Sequence, residues 1–265
     1  MARDMGISRK TIERVVHEDL KMYPHRTQRA AILSASNQQA RVEKCRQLLD
    51  WTRNKGHHSI VFSGEKFFTV EQQFNAQNVG VIARNAEEAD KKGRVVHRAA
   101  HPAQVMVWAG VCASGKTPLV IVDPGVKIDK DYYLKTILED ALLPWTNSHL
   151  NGRPWTSQQD SAPAHKAKVV QAWCKSELPD FIPAEEWPAS SPDLNPLDYN
   201  LWSYLESKAC VTPHPNLDFL KAALIREWDE INDALLRPVI DAFPQATPRC
   251  RPCQSWPNRE VTYDR

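Results

Sequence analysis

Hydrophobic positions near the start of the chain recur at helical spacing. Ser8 is suited to cap the first helix, and charged residues fill the positions between the apolar ones. The apolar stripe consists of Ile7, Ile12, Val15, Val16 and Leu20. A second amphipathic pattern covers residues 38–52, with Val42, Cys45, Leu48 and Leu49 on one side. The spacing therefore predicts two helices before residue 58.

The pattern changes to β-strands from His58 onwards. Residues 59–63 and 67–70 are rich in β-forming side chains and flank Gly64, Glu65 and Lys66, which predicts two antiparallel strands joined by a turn. Gln104–Cys112 is a continuous apolar run and predicts a buried strand. A turn at residues 113–116 leads into a third paired strand at residues 117–122.

Helices and strands alternate in the second half of the chain. Helices are predicted at residues 129–143, 164–177, 197–208 and 217–236, with Pro144 ending the first, and short strands at 155–159 and 180–182. An antiparallel unit followed by alternating helices and strands predicts an α/β fold, with a mixed sheet flanked by helices. The stretch after Phe243 is rich in Pro, Arg and Cys and is predicted to be loose.

Charge is divided unevenly along the chain. The net charge is +2, but residues 1–58 carry 12 Lys and Arg against 6 Asp and Glu, whereas the rest carries 22 against 26. This division suggests a polyanion partner for the basic part and a cation site in the acidic part, although an uneven solvated surface gives the same numbers. The longest apolar run, around residues 105–111, is too short to cross a membrane. Six irregularly spaced Cys favour a reducing compartment, and Cys250 and Cys253 lack a second ligand pair for zinc.

The first predicted helix carries candidate DNA-binding residues. Ser and Thr suit phosphate oxygens, and Arg and Lys suit phosphates or guanine edges. The candidates are Ser8, Arg9, Lys10, Thr11 and Arg14. Many surface helices have the same composition, and a helix-turn-helix needs a preceding helix, for which only seven residues remain before Ser8. The basic residues 21–29 form either a DNA-contacting tether or an ordinary connector.

Two carboxylates stand where strands end or helices begin. Asp160 ends a short strand and Asp198 begins a helix, positions that converge over one edge of a sheet and could hold Mg²⁺ or Mn²⁺. Helix capping is the alternative for any single Asp at a helix start. Asp193 lies in a turn sequence, SPDLNP, and is interpreted as a turn residue.

Four motifs resemble those of mariner-superfamily DNA transposases, in the same order and between about Ser8 and Lys208. They are FSGEKFFTV, VMVWAGVCASGKTPLVIV, QQDSAPAHKA and WPASSPDLNPLDYNLW. The resemblance implies an RNase H-like catalytic core in which three acids and two divalent metal ions cleave DNA and join transposon ends to target DNA. It also implies a homodimer and action in the nucleus.

The resemblance assigns roles residue by residue. Asp160 matches the second acid and Asp198 the third; the 37 residues between them resemble a branch in which the third acid is Asp. Gly64 occupies the position of the first acid, so one carboxylate is lost and this copy is predicted to be inactive. Glu65 is expected to face the opposite side of the sheet; the alternative is a bulge at Gly64 that turns Glu65 toward the metal ligands, where it supports or replaces the missing acid. His165 matches a family His and could orient a metal-binding carboxylate, although packing at the helix start is an equal alternative; Ser161 stands where the family has Asn.

These inferences divide the chain into four predicted segments. They are a helix-turn-helix remnant shortened at its start (1–20), a basic linker with a helix (21–57), the RNase H-like domain (58–243) and a loose tail (244–265). Two functional alternatives remain open. One is a non-catalytic DNA-binding protein derived from a transposase; the other is an RNase H-like nuclease with an altered metal site.

Overall fold

A computed structural model describes residues 8–22, 34–53, 56–72, 81–92, 95 and 99–246. The chain forms two compact units, Met1–Leu33 and Ser34–Arg265. In the first unit, helix α1 (Arg9–Arg14) continues as a π-helical turn, Val15–Asp19. Ser8 caps α1 as predicted, because its side chain accepts a hydrogen bond from the Thr11 backbone N–H at 3.1 Å. Residues 23–29 of the predicted linker, and Cys250 and Cys253, lie outside the described residues.

The second unit is built on a five-stranded mixed sheet. The strands are β1 (Ile60–Thr69), β2 (Gln104–Cys112), β3 (Gly115–Lys116), β4 (Val120–Val122) and β5 (Thr156–Gln158). The hydrogen-bonded order is β3-β2-β1-β5, and β4 pairs with another part of β2. Strand β1 is antiparallel to β2 and parallel to β5, so the predicted mixed sheet is confirmed.

The predicted turn at Gly64, Glu65 and Lys66 is wrong. Strand β1 runs without interruption from Ile60 to Thr69. Strand β2 pairs along this whole stretch, with Gly64 opposite Ala109 and Glu65 opposite Trp108. Pairing with a long neighbouring strand outweighs the weak local preference of a glycine and two charged residues for a turn. The residues of the first motif therefore lie in the middle of a central strand.

Helices cover both faces of the sheet. In chain order they are α2 (Ala35–Thr52), α3 (Ala86–Lys91), α4 (Lys130–Tyr132, continuing as a π-helix over Tyr133–Leu142), α5 (Leu143–Leu150), α6 (Lys168–Glu177), α7 (Trp202–Ala209), α8 (Leu217–Asp229), α9 (Asp233–Asp241) and α10 (Phe243–Ala246). None of the helices in the described part of the chain is long and apolar enough to span a bilayer.

Strand β1 separates two hydrophobic cores. Phe62 and Phe68 pack in one core with Trp202 and Trp228, whereas Val61 packs in the other with side chains of the π-helix and α6. This division follows from strand geometry, because successive side chains point to opposite faces of a sheet. Helix α2 also belongs to the second unit, in which its residues Cys45 and Leu48 are buried in the first of these cores.

Two predicted helix boundaries are wrong. Pro144 does not end a helix; it lies in the first turn of α5, directly after the π-helix, where the changed hydrogen-bond pattern tolerates a residue without an N–H. The helix predicted over residues 217–236 is two helices, because the side chain of Asn232 caps α9 by accepting from the Leu235 N–H. The predicted strand at 180–182 is reduced to one bridge between Ser157 and Phe181.

Candidate active site

The carboxyl end of β5 lies beside the middle of β1. The last register pair of these parallel strands is Phe62 with Gln158. Gly64 and Asp160 each lie two residues further on, so Asp160 comes level with Gly64 at the point where β5 ends. Asp160 turns the chain there, because its Oδ1 accepts a hydrogen bond from the Ala162 backbone N–H at 2.9 Å.

His165 lies between two carboxylates at this edge. Its Nδ1 is 2.7 Å from Oδ1 of Asp160, and its Nε2 is 3.3 Å from Oε1 of Glu65. The imidazole is buried and lies against the Tyr133 ring, with 4.1 Å between the ring centroids. The phenol of Tyr133 donates in turn to Oε1 of Gln159 at 2.8 Å. This arrangement fixes the orientation of the His165 ring from both sides.

The two carboxylates decide the charge of His165. Burial alone would lower the pKa of the imidazole, but its contacts with Asp160 and Glu65 raise the pKa to about 9. For Asp160, burial acts to raise the pKa, and the interaction with His165 outweighs it and lowers the pKa. At neutral pH the site therefore contains an imidazolium beside ionised Asp160.

The side chain of Asn195 ties the start of the helix that carries Asp198 to strand β1. Asp198 lies in the first turn of a π-helix, Leu197–Leu201, that precedes α7. The Asn195 side chain accepts from the Leu197 N–H at 3.0 Å and donates to the Ser63 carbonyl at 2.9 Å, which ties the helix start to β1. The structure thus confirms that Asp198 stands at the beginning of a helix.

Electrostatic coupling connects Asp198 to the other acids. Burial, together with the negative charges of Asp160 and Glu65, raises the pKa of the Asp198 carboxyl to about 6, and the charge of Lys66 opposes this rise. The charge of Asp160 thus reaches Asp198, and a shared metal site for the two acids stays a prediction.

Gly64 and Glu65 face opposite sides of β1, as strand alternation requires. A Cβ at Gly64 would lie 3.3 Å from Nδ2 of Asn195 and 3.9 Å from Nε1 of Trp202. Glu65 therefore faces the side of the sheet opposite to residue 64, as expected, and on that side its carboxylate lies beside His165. Asp160 lies beyond the end of β5, so the alternation of that strand does not control where its side chain points.

Other residues of the four motifs have simpler surroundings. Lys66 forms an ion pair with Glu206 at 2.8 Å, and Asp193 lies in a 3₁₀ turn and pairs with Arg41 at 2.5 Å. Trp108 and Trp202 are buried in the cores.

The candidate DNA-binding residues lie on α1, in the first unit. Ser8, Lys10 and Arg14 are exposed, and Thr11 is half-buried with its hydroxyl 2.7 Å from that of Ser8. The side chain of Arg9 lies outside the described part of the structure. The structure therefore leaves the role of these residues as a prediction.

The site offers ligands for a hard divalent cation. Atoms of Glu65, Asp160 and His165 lie within 4.8 Å of one another, and Asp198 shares their field. The carboxylate oxygens of Glu65, Asp160 and Asp198 are the ligand type that Mg²⁺ and Mn²⁺ prefer. Within the described residues, Glu65, Asp160 and His165 are thus the members whose ligand atoms lie together, and Gly64 contributes no oxygen.

Sequence comparison finds relatives along nearly the whole chain. The chain is 28% identical over 246 residues to the transposable element Tcb1 transposase of Caenorhabditis briggsae, covering 92% of this chain and 84% of the relative. It is 25% identical over 243 residues to the Tc3 transposase of Caenorhabditis elegans, covering 89% and 67%. No family model matches the sequence.

Structural comparison identifies the class of fold. The paired-end complex of Mos1 transposase with the left transposon end matches with a TM-score of 0.72 and 18% identity, over 94% of this chain and 71% of that one. The catalytic domain of Mos1 mariner transposase matches with a TM-score of 0.63 and 18% identity, over 84% and 96%. The expected RNase H-like fold is confirmed. The predicted resemblance to mariner-superfamily transposases is confirmed as well, since the homologues are Tc1/mariner-family transposases.

Proposed function

We propose that this chain is a transposase of the Tc1/mariner kind whose catalytic domain derives from a metal-dependent enzyme of DNA cleavage and strand transfer. We further propose that this copy is inactive because Gly64 stands where the first metal-binding acid is required. The observation that carries the proposal is that Asp160 comes level with Gly64 at the end of β5, while Asn195 ties the start of the Asp198 helix to β1 beside Gly64. The similarity to Tc1/mariner transposases over 92% of the chain supports it.

In this proposal, Asp160 and Asp198 hold the metal and other residues position them. Bound Mg²⁺ or Mn²⁺ supplies activation of the attacking oxygen and stabilisation of the leaving oxygen of the phosphodiester. Asn195 orients Asp198 by linking the start of its helix to β1. His165 holds Asp160 through its Nδ1 and carries a positive charge that compensates part of the acidic cluster.

The loss of activity follows from charge and ligand number. A two-ion centre needs several carboxylates to balance four positive charges, and glycine supplies none. Glu65 brings a carboxylate into the site, but that carboxylate is engaged by His165. We therefore propose that the centre binds divalent cations weakly and does not assemble the ion pair required for strand cleavage.

DNA is the partner of this proposed function. Two of the solved relatives are described as a paired-end complex with a transposon end and a pre-cleavage transpososome. In this chain the exposed side chains of Lys10 and Arg14 are the proposed phosphate contacts. Homodimer formation and a nuclear location are further parts of the proposal.

Mn²⁺ calorimetry on the chain and its Gly64→Asp variant tests the proposal. A carboxylate at residue 64 should raise the Mn²⁺ affinity at least tenfold, and Gly64→Ala is the matched control that adds the Cβ alone. Asp198→Asn in the Gly64→Asp background should abolish the gain, and plasmid nicking should appear only where the gain is present. Equal affinity in the chain and in Gly64→Asp would refute the account of Gly64 and assign Glu65 as the completing ligand.

A non-catalytic DNA-binding protein is the second candidate, and His165 favours it. The positive charge of the His165 imidazolium balances part of the negative charge of Asp160 and Glu65. The folded structure therefore does not need a metal ion to balance these carboxylates. In that case Asp160→Ala leaves DNA affinity unchanged at low salt, while changing Arg9, Lys10 and Arg14 together to Ala reduces it. Unchanged affinity in both variants would contradict DNA binding through α1.

A further inference from the structure

A second group of ligand atoms lies outside the acidic site. His57 and His58 belong to the 3₁₀ turn Gly56–Ser59 that leads into β1, and Asp241 is the last residue of α9. Nε2 of His57 is 3.2 Å from Oδ1 of Asp241, and Nε2 of His58 is 2.5 Å from the same oxygen. Two imidazoles from adjacent residues thus converge, through the same ring nitrogen, on one carboxylate oxygen.

We propose that His57, His58 and Asp241 form a zinc site. Their three ligand atoms lie within 4.8 Å of one another. Tetrahedral Zn²⁺ with bonds of about 2.0–2.1 Å keeps its ligand atoms roughly 3.3 Å apart. The His57–Asp241 separation of 3.2 Å already matches this spacing, and the His58–Asp241 separation of 2.5 Å must widen by somewhat less than about 1 Å.

The chemistry of the ligands selects zinc over the hard cations of the acidic site. Imidazole nitrogen suits Zn²⁺, whereas Mg²⁺ prefers a shell of oxygen atoms. Two His and one carboxylate are a ligand set used by zinc, with water in the fourth position. The side chain of His57 is 9% exposed, that of His58 36% and that of Asp241 46%, so the group is enclosed on one side and open to water on the other.

Local charge also favours a cation at this place. Asp241 ends a nine-residue helix, where the backbone carbonyls carry a partial negative charge of roughly half an electron. The two imidazole rings stand edge to face, with 4.3 Å between their centroids, so protonation of both would place like charges together. A zinc ion bound to neutral imidazoles removes that repulsion and compensates both the carboxylate and the helix end.

The proposed ion has a structural role. It joins the turn before β1 to the end of α9, two parts of the chain that are far apart in sequence. Helix α9 is anchored nearby through Leu236 and Ile240, which are buried in the same core as Phe62 of β1. Zinc would therefore brace the strand that carries Gly64 and Glu65 without taking part in chemistry at the acidic site.

The test uses the full chain, freed of metal with a chelator and then titrated with Co²⁺ and with Zn²⁺. The chain should bind one Co²⁺ with visible absorption bands of a low-coordinate nitrogen–oxygen site, and one equivalent of Zn²⁺ should displace the Co²⁺ and raise the melting temperature. The double variant His58→Gln, Asp241→Asn should lose the bands and the rise in melting temperature. Asp241→His keeps three ligands and should retain Co²⁺ binding with shifted bands.

Two controls separate this site from the acidic one. His101→Gln changes an exposed histidine elsewhere, and Asp160→Asn weakens the acidic site; both variants should keep the Co²⁺ bands. Circular dichroism establishes that each variant is folded. Absence of bands in the folded chain, or their persistence in the folded double variant, would overturn the proposal and leave His57, His58 and Asp241 as a metal-free ion-pair group.

Discussion

Gly64 is surrounded by groups that complement a polar side chain. Trp202 Nε1 is buried and has no hydrogen-bond acceptor within the described residues, and it lies 3.9 Å from the position of a Cβ at Gly64. Nδ2 of Asn195 lies at 3.3 Å from the same position. Two donor nitrogens, one of Trp202 and one of Asn195, therefore lie close to the Cβ position of residue 64.

The Gly64→Asp variant should consequently lose less folding stability than is usual for a newly buried carboxylate. A buried carboxylate costs stability unless it is hydrogen-bonded, and these two donors supply the bonds. We expect its free energy of unfolding to be within about 1 kcal/mol of that of Gly64→Ala. Urea denaturation measures this difference, and a downfield shift of the Trp202 indole N–H in NMR spectra would report the new bond. A loss several times larger, with an unshifted indole signal, would show that the donors do not reach residue 64.

His165 makes stability depend on pH. Folding raises its pKa from about 6.5 to about 9, so the folded chain binds this proton more tightly than the unfolded chain. The stabilisation is complete below about pH 6.5 and is lost as the pH rises through about 9. Between pH 6 and pH 9.5, the chain should lose on the order of 2–3 kcal/mol more than His165→Gln does. Urea denaturation in chelator-containing buffer measures this, with His101→Gln as the control; equal losses in the chain and in His165→Gln would contradict it.

At the scale of elements, the link between β1 and the helix of Asp198 depends on one amide. Asn195→Ala removes both hydrogen bonds of the buried side chain and should cost about 1–3 kcal/mol in unfolding free energy. Asn195→Asp keeps the acceptor for the Leu197 N–H but places a buried carboxylate oxygen against the Ser63 carbonyl oxygen, so its cost should exceed that of Asn195→Ala. Chemical denaturation of both variants checks the order. A negligible cost for Asn195→Ala would mean that packing alone holds this helix.

The sequence predicts those elements whose pattern is local. Ser8 caps its helix, the run Gln104–Cys112 is a buried strand, and Asp198 begins a helix, because each depends on a few consecutive residues. Strand β1 was predicted as a hairpin because the pairing that keeps Gly64 extended comes from Ala109, far along the chain.

Side-chain contacts across the sheet edge were harder to predict than the acids themselves. Asp160 and Asp198 stand in recognisable motifs, whereas nothing in the sequence of the helix that carries Tyr133 indicates its contact with Gln159. Asn195 lies in a stretch typical of turns, and its role appears only when its amide meets Ser63. The contact of Glu65 with His165 was not predicted, because alternation along β1 does not fix where the loop after β5 sends Asp160 and His165.

At the scale of the whole molecule, the second compact unit contains the entire sheet and both cores. A fragment that begins at Ser34 should therefore fold with the melting temperature of the full chain, to within about 2 °C. Differential scanning calorimetry of the fragment and the chain tests this. A substantially lower melting temperature for the fragment would mean that residues 1–33 contribute to the stability of the larger unit.

Under the proposed function, the surroundings of Gly64 also bear on how readily the first acid could be restored. A Cβ at residue 64 would lie 3.3 Å from Nδ2 of Asn195, so that amide must shift by a few tenths of an ångström, whereas β1 keeps its full pairing. Restoring the proposed first acid would therefore take one substitution, Gly64→Asp, and a small displacement of one neighbouring side chain.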